Sequence, residues 1–145
     1  MSEVWTSRYT NYGGILESGL APIRVTLGAP RFKLPYKLAG NIPQLAPTRA
    51  TFTSPSHLFE GLYRAQLNEL GVGAIRLLLD EAEAEAGRGL VLLCFEDVEK
   101  LGEHSCHRRQ FAAWWREQTG EVIAELPTVK REEEAKPKAA QPALF

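Results

Sequence analysis

Two cysteines, a histidine and adjacent arginines crowd one stretch of this 145-residue chain: Cys94 and Glu96, then Ser105-Cys106-His107-Arg108-Arg109. Leu90 to Phe95 is an apolar run too short for a helix and reads as a strand covered on both faces. Ser105 is placed to cap a helix that runs from Cys106 to about Thr119 and stops at Gly120. At such a junction the unpaired N–H groups and the positive end of the helix dipole converge, which favours a bound phosphate or carboxylate. Arg108 or Arg109 could add bidentate contacts to it. The same field would lower the pKa of the Cys106 thiol. Glu96, Cys106 and His107 are therefore the candidate catalytic residues, with His107 and Glu96 placed to move protons.

Spacing excludes several chemistries. A cysteine-phosphatase cradle needs an arginine six positions after its nucleophile, and Ala112 stands there. His104, Cys106, His107 and Cys94 have the ligand chemistry for zinc or iron, but no Cys-x-x-Cys pair accompanies them, and neighbours on a helix point apart. No resident metal or other cofactor is expected. There is no Gly-x-Gly-x-x-Gly or phosphate-loop lysine, which argues against dinucleotides and nucleoside triphosphates. Cys94, inside an apolar run, reads as a small core residue. With two cysteines only, a secreted disulfide framework is not indicated, and free thiols in a reducing compartment are expected.

The elements that must position this cluster follow from local pattern. Val4 to Ser7 and Ile23 to Leu27 are short β-favouring runs, and Val122 to Leu126 reads as a last strand. Leu58, Leu62, Leu67 and Leu70 form the stripe of a helix that starts at Ser56 and is closed by Gly71. Ile75, Leu78, Leu79 and Ala82 give a second helix over 74–86. Pro30, Pro35, Pro43 and Pro47 crowd the segment between Gly28 and Pro55, which is expected to be a long irregular surface loop. Helices alternating with buried strands indicate an α/β fold: a three-layer, Rossmann-like sandwich on a mostly parallel sheet over residues 1–127.

Several of these strings together resemble the domain of unknown function 488 family. They are Thr6-Ser7-Arg8-Tyr9, Gly28-Ala29-Pro30-Arg31-Phe32, Tyr63 with Leu67, and Leu92-Leu93-Cys94-Phe95-Glu96 with Cys106-His107-Arg108. The resemblance spans about residues 4 to 126, and the pairing of the last two strings is its specific part. It implies a Rossmann-like sandwich whose motif residues gather at one edge of the sheet, without an established reaction. Thr6, Ser7, Arg8, Arg31 and Arg108 would then line an anion-binding cleft beside Glu96, Cys106 and His107.

Net charge is −1, from 17 basic and 18 acidic residues, so attraction to nucleic acid cannot come from bulk charge. No apolar run is long enough for a membrane span and no signal pattern opens the chain, so a cytoplasmic location is expected. After Pro127 the composition turns to lysine, arginine and glutamate, and residues 128–145 are expected to form a disordered tail. Its end, Gln141-Pro142-Ala143-Leu144-Phe145, resembles the bacterial sliding-clamp-binding pentapeptide at Gln141, Leu144 and Phe145. The leading expectation joins both signals: an enzyme acting on nucleic acid or nucleotides and tethered to the sliding clamp, linked to DNA repair or replication. Two alternatives are a thiol- or metal-based sensor at Cys94 and Cys106, and a non-catalytic adaptor presenting Trp114, Trp115 and the proline-rich loop.

Overall fold

The structure is a computed structural model that describes residues 3–95 and 106–129. Among these, five strands form one all-parallel sheet: β1 (Val4–Arg8), β2 (Ala21–Arg24), β3 (Gly40–Asn41), β4 (Leu90–Cys94) and β5 (Ala124–Glu125), in the order β3-β2-β4-β1-β5. β4 is central and buried at every position, as its unbroken apolar run requires. It pairs with β1 from Val4 opposite Leu90 to Arg8 opposite Cys94, and with β2 from Ala21 opposite Leu90 to Arg24 opposite Leu93. Because all strands are parallel, the carboxyl ends of β1, β2 and β4 share one edge.

Side chains alternate across the sheet and meet two cores. Leu90, Leu92, Ala21 and Ile23 join Tyr63, Leu67, Ile75, Leu79, Phe111, Trp114 and Trp115 on one face. That layer is built by α3 (Ser56–Leu70), α4 (Val72–Ala86) and α5 (His107–Thr119). Val91 and Leu93 meet Tyr9, Ile15, Leu20 and Leu126 on the other face, under α1 (Tyr12–Ser18). The result is the expected α/β sandwich. No helix among the described residues is long and apolar enough to cross a membrane.

Three expectations are corrected. The segment after β2 is not simply an irregular surface loop: Phe32, Leu34, Tyr36 and Leu38 pack at alternate positions on the second core. It then contributes β3, a 3-10 turn at Pro43–Leu45 and the short α2 (Arg49–Phe52), whose N-cap Thr48 accepts from the Thr51 N–H. β2 ends at Arg24 rather than Leu27, because Arg24 Nε donates to the Thr26 carbonyl and Thr26 Oγ1 to that of Gly28, folding the chain back. Trp114 and Trp115 are 1% and 3% exposed and belong to the core, so they offer no contact surface to a partner.

Candidate functional site

Cys94 ends β4, and Cys106 is the N-cap of α5 with extended backbone angles of φ −125° and ψ 136°. The strand delivers one thiol to the sheet edge and the cap delivers the other, and the two are joined as a disulfide across 12 residues. This corrects the expectation of free thiols. It also removes the geometric objection to a metal. Cys106 stands outside the helical turns, so it does not diverge from His107, and the ligand atoms of Cys94, Cys106 and His107 all lie within 4.8 Å of one another. All three side chains are buried.

Arg108 organises the sulfurs. Its Nη1 donates to Cys94 Sγ at 2.8 Å and to Cys106 Sγ at 3.2 Å. Nε and Nη2 grip the Glu125 carboxylate at 3.0 and 2.7 Å, a two-point contact that only the planar guanidinium fork makes. The Arg108 side chain is fully buried while that of Glu125 is 25% exposed, so the ion pair sits at the rim of the core with its positive end inward. Thr6 Oγ1 donates to Glu125 Oε1 at 2.7 Å and accepts from Arg109 Nη1 at 2.8 Å, and Arg109 also donates to the Ile123 carbonyl. Strands β1 and β5 therefore hold the carboxylate that holds the arginine.

His107 Nε2 donates to the Val25 carbonyl at 2.7 Å, which ties the first turn of α5 to the end of β2. A carbonyl can only accept, so the Nε2 proton is fixed and, in the neutral ring, Nδ1 carries the lone pair. The ring meets Tyr63 edge-on at 5.7 Å, and the Tyr63 hydroxyl donates to the Leu45 carbonyl at 2.6 Å. Complete burial pushes the Tyr63 phenol far up, so it stays neutral.

The other expected site residues divide. Arg8 pairs in register with Cys94 and donates to Thr10 Oγ1 at 3.0 Å. Thr6 faces α5, but Ser7 points to the opposite face of the sheet, where it accepts from Asn11 Nδ2 at 3.1 Å. Arg31 is exposed on the segment after β2. Glu96, Ser105, Gln141, Leu144 and Phe145 lie outside the described residues. One hollow of about 310 Å³ is lined by Arg109, Arg116 and Glu117 with Val122, and does not include Cys106 or His107.

No family model, curated protein or solved structure matches the chain. The residue that sequence reading missed is Glu125. A single acid in a short run beside Ile123 and Leu126 carries no mark of its ion pair with Arg108, 17 positions away. Tyr9 also carries no sequence mark of its role: its hydroxyl shares a hydrogen bond with Thr26 at 2.7 Å, its carbonyl accepts from Tyr36, and its N–H donates to the Cys94 carbonyl. It braces the ends of β1, β2 and β4 against each other.

Proposed function

We propose that this protein is a thiol-based redox-responsive domain in which Cys94 and Cys106 interconvert between dithiol and disulfide. The observation that carries the reading is the meeting of two sulfurs, one from a strand end and one from a helix cap, under an arginine that donates to both. Hydrogen bonds from a guanidinium favour the thiolate, the form that attacks an oxidant or a disulfide. With peroxide, one thiolate takes an oxygen to become a sulfenic acid, releasing hydroxide. The second thiolate then displaces that oxygen, and two protons complete two waters. A thiol reductant reverses the bond by exchange.

Supporting a switch rather than a surface nucleophile is the burial of both sulfurs, which restricts the exchange to small reagents or to local opening at the sheet edge. The reading as an anion-binding enzyme for nucleic acid or nucleotides has less support, because the Arg108 fork is already spanned by Glu125 and the two sulfurs. The resemblance to the domain of unknown function 488 family enters as part of the proposal: its most specific strings contain the two cysteines, His107 and Arg108. Attachment to a sliding clamp through Gln141, Leu144 and Phe145 is a separable proposal that rests on the pentapeptide pattern.

Gel-shift labelling of thiols tests the reading. Native, reduced protein treated with peroxide is expected to lose both labels together, to regain them with dithiothreitol, and to remain a single chain throughout. Cys94→Ser and Cys106→Ser should each block closure of the bond and leave the other thiol to form sulfenic acid. Loss of label that no reductant restores, or bonds formed between chains, would overturn it.

A further inference from the structure

We infer that the reduced form of this site binds a divalent metal ion of the zinc class through Cys94 Sγ, Cys106 Sγ and His107, and that oxidation of the two thiols expels it. The inference rests on the thiol reading above and names the ligand that the switch would control.

Three observations converge. The ligand atoms of the two cysteines and His107 lie within 4.8 Å of one another, a separation that small side-chain adjustments convert into a shared coordination sphere. Two thiolates and an imidazole are a donor set suited to zinc, with one position left for water or an incoming ligand. His107 carries the support usual for a metal-binding imidazole: its Nε2–H is fixed on the Val25 carbonyl, which orients the ring and sets Nδ1 as its lone-pair nitrogen.

Charge decides which state is comfortable. Arg108 is fully buried and its charge is matched by the Glu125 carboxylate. If both thiols ionised with nothing added, two uncompensated negative charges would be buried, which is costly. Either protons stay on the sulfurs or a divalent cation replaces them, and the cation's two charges offset those of the two thiolates. The Arg108 Nη1 donor then serves as a hydrogen bond to the coordinated sulfurs. On oxidation the balance is explicit. Two metal-bound thiolates, one hydrogen peroxide and two protons give the disulfide, two waters and the free divalent ion. A disulfide sulfur is a poor ligand, so the ion departs.

Cobalt(II) is the probe, since its thiolate complexes absorb strongly where the free ion does not. The full-length protein, reduced and titrated without air, is expected to bind one cobalt per chain with a thiolate-to-cobalt charge-transfer band, and zinc should bleach it. Cys106→Ser should lose most of that band. His107→Ala, which keeps both thiols, should weaken binding by at least about tenfold with circular dichroism unchanged. Peroxide should release the metal to a chelating dye in step with disulfide formation. The inference is overturned if the reduced, folded protein shows no charge-transfer band, or if His107→Ala binds cobalt as tightly as the parent. Normal disulfide cycling without cobalt binding sinks the metal site alone. Cobalt binding with thiols that peroxide never joins sinks the redox reading and, with it, the expulsion of the ion.

Discussion

The chemistry of single residues turns on Arg108. It is the side chain whose charge, burial and fork geometry are all used at once, by Glu125 on one side and two sulfurs on the other. Breaking a buried ion pair from one end leaves a charge without its partner, at a cost of about 3–5 kcal/mol when both ends are dry. Glu125 is a quarter open to water, so Glu125→Ala is expected to cost less, about 2–3 kcal/mol after allowing for screening, read as a lower midpoint in urea unfolding. Arg108→Lys keeps a charge but cannot span carboxylate and sulfurs together, so it should fold and yet slow peroxide oxidation of the thiols by about tenfold in stopped-flow assays. Tyr9 sets a pH limit. Desolvation raises its pKa from 10.0 to about 12, opposed by its bond to Thr26 and by Arg24. The unfolded chain therefore ionises this phenol first. The stability it contributes is complete below pH 10 and is lost as pH rises toward 12. Alkaline unfolding should accordingly coincide with phenolate absorbance. At this scale the sequence already marked Cys106, His107 and Arg108 as a cluster. What it hid was direction, because the extended backbone at the cap turns Cys106 toward Cys94 and the short spacing had suggested divergence.

Among the elements, those with a full apolar period were legible. Ser56 to Leu70 with its Gly71 stop, the helix ending at Ala86 and the buried run of β4 all follow from patterning and stop signals. Short elements fixed by tertiary contacts were not. α1 carries the adjacent glycines Gly13 and Gly14 and no apolar period, yet Asn11 caps it by accepting from the Gly14 N–H and holds the segment after β5 through Pro127 and Val129. Gly14 is there because nothing larger fits: a Cβ would lie 2.5 Å from Asn11 Nδ2 and 2.8 Å from the Pro127 carbonyl oxygen. Gly14→Ala pits a helix-propensity gain of up to about 1 kcal/mol against a steric clash of about 1–3 kcal/mol. The contact involves backbone, which cannot swing aside. A net loss of about 1–2 kcal/mol is expected, measurable by chemical denaturation.

Across the whole molecule, the parallel sheet is what makes the site possible. It sets the ends of β1, β2 and β4 on one edge, and α5 closes over them through His107 to Val25 and Arg108 to Glu125. The α/β class was readable from alternating helices and buried strands. The site lay hidden because its counter-charge comes from β5 and its sulfurs come from a strand end and a helix cap 12 residues apart. The proposed clamp tether is tested separately. Removing residues 141–145 is expected to abolish capture by a bacterial sliding clamp while leaving the thiol cycle unchanged, and retained capture would end the tether proposal. The central claim is most directly tested by exposing the folded protein to buffers of graded dithiothreitol ratio and reading its intact mass. Reversible conversion between the dithiol and a form lighter by two hydrogens, with the fold kept at both ends, is the predicted result. A bond that opens only in denaturant would contradict it and reduce Cys94 and Cys106 to an inert staple.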